Sequence, residues 1–164
     1  MCVFCKIVNG EIPSYKIYET ENTMAFLDIS QNTKGHTLVI PKKHIENIFN
    51  IDEETAKELF TSVAATAKLL KEKLGFDAVN LLNNNGKKAG QVVNHYHIHI
   101  IPRYGNDECY FKECPHEPNF DELAKLHKKI TEKSIFIFDE PTTGLHSYDI
   151  ERLMLMINKI VDSG

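Results

Sequence analysis

The chain has no tryptophan, only six prolines and eight glycines among its 164 residues, and no excess of positive charge, its formal net charge being −4. The acidic balance argues against a nucleic-acid backbone as the main partner, because proteins that bind it by counterion release carry a basic face that shows in the charge count. No apolar run approaches membrane-spanning length, so no membrane partner is expected. The N-terminus, MCVFCKIVNG, lacks the basic stretch and long apolar core of a secretory signal, and a cytoplasmic location is expected. In that reducing compartment the four cysteines are expected to be thiols or metal ligands rather than disulfides. Against these scarcities stand eight histidines, a count that points to chemistry rather than to packing.

The length and the 42% apolar content suit one domain with an appendage. Residues 15–19, 23–28 and 37–41 are rich in aromatic or β-branched side chains and read as antiparallel strands. From Glu53 to Leu74 apolar residues recur every three or four positions, with Asp52 placed to cap the start and Gly75 to end it, which predicts the main helix. Further strands are expected over 78–83 and 95–103, separated by the polar turn Asn84-Asn85-Gly86-Lys87-Lys88-Ala89-Gly90, and a weak helical pattern resumes over 121–133. Strands with one long helix in this order suggest an α+β layer.

His95, His97 and His99 occupy alternate positions of the expected strand 95–103 and would therefore face one side. At a rise of about 3.3 Å per residue the outer two lie about 13 Å apart along the backbone. Zinc–nitrogen bonds are only about 2.0–2.1 Å, so the three cannot share one ion unless the strand bends. At least one ring is left for other work. A neutral imidazole attacks phosphorus well when its second nitrogen donates to a fixed acceptor, and a neighbouring imidazole can bind the phosphate or pass a proton to the leaving group. The turn at Ala89-Gly90-Gln91-Val92 offers backbone N–H groups to an anion. A zinc hydrolase built on the same histidines is a further reading of these residues.

The segment GQVVNHYHIHIIPR resembles the signature of the histidine triad (HIT) family, and the match extends through VFCKIVNGEIP, FLDIS, GHTLVIPKKHI and LLNNNGKKAG. The chain is similar to bacterial HIT hydrolases over about residues 2–133. The resemblance implies a HIT-like antiparallel sheet with one long helix, the sheet continuing across a homodimer. It also implies cleavage at the α-phosphate of a purine nucleotide, adenosine foremost, in a nucleoside phosphoramidate or a dinucleoside polyphosphate, through a covalent nucleotidyl-histidine. On the matching positions His97 would be the nucleophile, and His99 would bind the phosphate and assist the leaving group. Asp28 would contact the ribose hydroxyls, Asn84 with Gly90, Gln91 and Val92 would lie by the phosphate, and His36 would support the active strand. Val3, Phe4, Ile7, Phe26, Ile29 and Leu38 match the apolar slot for the base. Val92 departs from the Ser or Thr usual at its position. The lost hydroxyl is expected to reduce or redirect activity, and the alternative is a nucleotide-binding module with weak turnover that acts through partners.

Cys2-Val3-Phe4-Cys5 supplies two thiols at a spacing that suits half of a tetrahedral zinc site. The family resemblance implies His44 and His95 as the other two ligands, a structural zinc, and no catalytic metal. Cys109, Cys114 and His116 form a weaker cluster without an obvious fourth ligand.

The last 31 residues hold five acids and two basic residues and so carry most of the net charge. SIFIFDEPTTGLH, residues 134–146, resembles the Walker B strand of the UvrA excinuclease ATPase, but the chain has no G-x-x-x-x-G-K-[ST] loop to hold phosphates, so no ATPase function is expected. The expected organisation is a HIT domain over 1–105, an irregular loop and terminal helix of the same protein over 106–133, and the UvrA-like fragment over 134–164, non-functional and poorly packed.

Overall fold

Strand periodicity sorts the apolar side chains into two layers, one on each face of a single sheet. The computed structural model describes residues 2–105 and 117–131. In order, these form α1 (Val3–Val8), β1 (Lys16–Glu19), β2 (Thr23–Leu27), β3 (Thr37–Pro41), α2 (Glu53–Leu74), β4 (Ala78–Leu82), β5 (Ile98–Arg103) and α3 (Phe120–Thr131), with 3₁₀ turns at Ile48–Asn50 and Lys87–Ala89. The strands make one antiparallel sheet of order β1-β2-β3-β5-β4, an α+β fold. The expected strands and long helix are all present, most within a residue of their expected ends.

Ala25, Val39, Ile98 and Ile100 point to the α2 side of the sheet, where they bury Leu59, Val63 and Leu70 of the helix. Met24, Phe26, Leu38 and Ile40 point the other way and pack with Phe4 and Ile7 of α1. Removing each large apolar side chain from water contributes about 1.5–3 kcal/mol, and these two layers hold the sheet between the helices. Helix α2 begins where the Asp52 carboxylate accepts from the Thr55 N–H at 2.8 Å. It ends at Gly75, whose φ of 73° lets its N–H reach the Lys71 carbonyl.

Two differences from the sequence expectation bear on the site. Helix α1 was not expected, because six residues are too few for helical periodicity to show. Strand β5 begins at Ile98 rather than at residue 95. His95 donates its N–H to the Val93 carbonyl only two residues back, and Tyr96 donates to the Ile45 carbonyl, so the chain bends through His95 and His97 before the ladder starts. The three imidazoles therefore do not line one face of a strand. Only His99 lies on β5, opposite Leu38 of β3.

The chain divides into two compact units, Met1–Lys112 and Glu113–Gly164. The second contains α3, the helix expected over 121–133. Cys109, Cys114, His116 and the Walker B-like segment 134–164 lie outside the described residues.

Candidate active site and metal cluster

The bend before β5 sends its histidines to two places. His95 turns into a cluster with Cys2, Cys5 and His44, while His97 and His99 line a pocket of about 520 Å³. Helix α1 serves both: its first turn carries the thiols, and Val3, Phe4 and Ile7 form part of the pocket wall.

In the cluster, Cys2 Sγ lies 3.4 Å from Cys5 Sγ and 3.4 Å from His95 Nδ1. Cys5 Sγ lies 3.3 Å from His44 Nδ1 and 3.6 Å from His95 Nδ1, and the two imidazole nitrogens are 3.3 Å apart. A tetrahedral zinc, with Zn–S near 2.3 Å and Zn–N near 2.0–2.1 Å, spaces its ligand atoms by about 3.3–3.8 Å. The four donors match that spacing and the soft donor set. His95 Nε2–H donates to the Pro41 carbonyl at 2.8 Å, which leaves the Nδ1 lone pair facing the cluster. Burial and the adjacent Cys2 thiol push the Cys5 thiol up.

In the pocket, His97 Nδ1–H donates to the His95 carbonyl at 2.6 Å, leaving Nε2 as the lone-pair nitrogen. The His97 ring is buried, edge-on to Phe4 at 5.3 Å and beside His99 at 5.0 Å. The His97 carbonyl accepts from Asn83 Nδ2 at 2.7 Å, so a side chain holds the backbone where no ladder bond does. Behind His99, His36 Nδ1–H donates to the Ser30 carbonyl at 3.0 Å, and its Nε2 lies 2.9 Å from His99 Nδ1, which then donates to it. Asp28 Oδ2 stands 3.7 Å from His36 Nε2 and 4.0 Å from His99 Nδ1. Burial holds His97 below the usual imidazole range. Burial, with His97 and His36 beside it, lowers His99 to about 4. Both rings are neutral at pH 7, the form that carries a free lone pair.

Phe4, Ile7, Phe26, Asp28, Ile29, Leu38, Asn84, Gly90 and Val92 all line this pocket, as does Val3. Gln91 does not. It braces the preceding loop instead, its Oε1 accepting from the Gly86 N–H and its Nε2 donating to the Glu46 and Val93 carbonyls. Val92 is 94% exposed at the pocket edge, so its side chain supports no core. Among the described residues its N–H has no protein acceptor.

Several contributors escaped sequence reasoning. Ile12, Pro13, Ser14 and Tyr15 add a wall beside α1, and nothing in their types signals it. Gln31 ties the turn before β3, its Oε1 accepting from the Gly35 and His36 N–H groups. Asn83 was legible only as one member of an asparagine run.

A pair of neutral imidazoles, the buried His97 oriented through the nearby backbone and the partly buried His99 through a second histidine, defines a histidine-based site on an antiparallel α+β scaffold. Comparison with known proteins places the scaffold: residues 9–106 match the HIT domain, and the chain belongs to the HIT family. It is 57% identical over 107 residues to Protein hit of Bacillus subtilis, covering 65% of this chain and 74% of that one. It is 41% identical over 133 residues to an adenosine 5'-monophosphoramidase of Saccharomyces cerevisiae, covering 80% and 82%. Among solved structures, that of SMU.412c from Streptococcus mutans superposes with a TM-score of 0.77 at 47% identity, covering 79% of this chain and 82% of that one. A Zn-bound histidine triad family protein from Mycobacterium smegmatis superposes at 0.64 with 37% identity, covering 78% and 96%. No helix among the described residues is long and apolar enough to cross a membrane.

Proposed function

We propose that this protein hydrolyses a purine nucleotide at its α-phosphate, with His97 as the nucleophile. The observation that carries the reading is the 2.6 Å bond from His97 Nδ1 to the His95 carbonyl, which fixes the tautomer and leaves Nε2 on the pocket side as the attacking atom. Nε2 forms a bond to phosphorus as the bond to the leaving group breaks. His99, its Nδ1–H held by His36, takes up a proton on Nε2 together with the bound phosphate anion, hydrogen-bonds the phosphate with it and passes it to the departing amine. Water then breaks the phosphorus–nitrogen bond, restores the His99 proton and releases the nucleoside monophosphate.

Phe4, Ile7, Phe26, Ile29 and Leu38 hold the base, Asp28 the ribose, and Asn84 with the Gly90–Val92 backbone the phosphate. The monophosphoramidase names of fungal relatives favour a nucleoside phosphoramidate as the substrate. Cys2, Cys5, His44 and His95 would hold a structural zinc that fastens α1 to the bend before β5; the donor spacing and the Zn-bound relative support zinc at this cluster. Two copies pair through the outer strand β4, where Val79 and Leu81 are exposed, and α2 adds Phe60. Residues 134–164 take no part in catalysis.

The test is AMP release from adenosine 5'-phosphoramidate and from a diadenosine polyphosphate by the wild type and by His97→Ala. The variant is expected to lose activity by about 10²–10⁴-fold or more, with a nucleotidyl adduct on His97 trapped only in the wild type. Val92, apolar and exposed where a hydroxyl would face the phosphate, favours a second reading, a nucleotide-binding module. AMP binding without turnover of either substrate would select it.

A further inference from the structure

The thiol pair at the start of α1 sits at a junction that the hydrolytic reading leaves unused. Cys2 is the N-cap of α1 and Cys5 lies in its first turn, with their sulfurs 3.4 Å apart, both partly exposed, beside the exposed His44. Cys2 Sγ also caps the turn by accepting from the Cys5 N–H at 3.3 Å. One residue past Cys2, α1 begins to supply the pocket wall, and Phe4 lies between the cluster and the catalytic ring. Its ring is 5.8 Å from that of His95, 5.3 Å from that of His97 and 5.6 Å from that of Phe26.

We propose that Cys2 and Cys5 form an oxidant-sensitive modification site, whose closure to a disulfide by a hydroperoxide dismantles the four-ligand cluster and displaces the α1 wall of the pocket. The effect on nucleotide binding rests on the functional reading above. One thiolate attacks the terminal peroxide oxygen, the O–O bond breaks, and a sulfenic acid forms with release of water or alcohol. The second thiolate attacks that sulfur, the S–O bond breaks, and a second water leaves. The sulfur pair is oxidised by two electrons and the peroxide is reduced by two.

The geometry makes the two states exclusive. A disulfide brings the sulfurs to about 2.05 Å with Cβ atoms about 3.5–4.5 Å apart. A shared tetrahedral ion holds the sulfurs apart, and here they stand 3.4 Å from each other. Closing the bond therefore draws the N-cap residue Cys2 toward Cys5, removes two ligands from His44 and His95, and shifts Phe4, which lies between the two cysteines in the chain, against His97.

The experiment uses the zinc-loaded full-length chain carrying Cys109→Ser and Cys114→Ser, so that only the α1 thiols remain. Hydrogen peroxide is titrated in, and three quantities are followed: zinc release by a chromogenic chelator, the mass of the peptide containing Cys2 and Cys5, and AMP affinity by calorimetry. The expected result is a two-dalton loss on that peptide, stoichiometric zinc release, and at least a tenfold weaker AMP affinity, all reversed by dithiothreitol with zinc. A disulfide that leaves AMP affinity unchanged overturns the proposal, as does zinc retained under excess peroxide. If the untreated protein binds no AMP, the functional reading fails, and the coupling is read from the Phe4–His97 ring contact by NMR. Loss of that contact on oxidation then supports the proposal, and its persistence overturns it.

Discussion

Three histidines that alternate in sequence are oriented in three different ways because each has a different second partner. His95 gives its Nε2 proton to the Pro41 carbonyl and turns Nδ1 to the thiols, while its own carbonyl orients His97. His99 rests on His36, which rests on the Ser30 carbonyl. The lowered value of His99, about 4, has a consequence for stability. In the unfolded chain this ring takes a proton near pH 6.5, but in the folded chain it stays neutral to about pH 4. Acidification through that window therefore favours the unfolded state, and the His99 contribution present above pH 6.5 is lost as the pH falls toward 4. Urea midpoints measured from pH 7 to pH 4 are expected to fall for the wild type and to fall less steeply for His99→Gln. At the pocket edge, Val92→Ser adds a hydroxyl where the proposed function places the phosphate. A hydrogen bond to a charged group contributes about 1.5–3 kcal/mol, so kcat for AMP release is expected to rise about tenfold or more. Because Val92 is almost fully exposed, the melting temperature is expected to stay unchanged.

The elements differ in how much of their placement the local sequence carries. Helix α2 reads out in full: its apolar period, the Asp52 cap and the left-handed Gly75 fall where expected, because cap and period are chemistry of neighbouring residues. Leu59 is fully buried under the sheet, and Leu59→Ala is expected to cost about 2–5 kcal/mol in urea unfolding. Thr66, on the same helix, has a buried hydroxyl with no hydrogen-bond partner among the described residues. Thr66→Val keeps the shape and removes that group, so the variant is expected to gain about 1 kcal/mol in the same assay. Strand β5 was legible only from Ile98 onward, since the residues before it alternate in type but obey contacts with Ile45, Pro41 and Asn83 that are remote in sequence. The short α1 left no periodic trace, although its thiols were readable as ligands.

For the whole molecule, Cys2, Cys5, His44 and His95 bring the start of α1 against the bend before β5, and the zinc proposed there would clasp the two. Four donors spaced as a tetrahedral site demands are expected to make zinc removal costly: prolonged chelation lowers the unfolding temperature, and the shift is absent in Cys2→Ser/Cys5→Ser. An unchanged melting curve after verified metal loss would contradict the structural role. Val79 and Leu81 on the outer strand are exposed, the edge through which the proposed pairing with a second copy runs. On the pairing proposed above, sedimentation equilibrium is expected to give a dimer for the wild type and a monomer for Leu81→Lys.

The sequence by itself determined the local features: the strands by side-chain alternation, α2 by period and caps, the thiols, and the histidine types that phosphate chemistry needs. Their motif also pointed to the family before any coordinates. The division of labour among those histidines was decided by the tertiary structure. An imidazole's role depends on which nitrogen is engaged: the groups that engage His95 and His99, the Pro41 carbonyl and His36, come from segments tens of residues away, and the His95 carbonyl reaches the His97 ring only where the chain bends. The same holds for Gln91, whose place beside a glycine suggested the phosphate but whose amide is used up in bracing its own loop. Residue type sets which bonds a side chain can make, and only the folded neighbourhood selects among them.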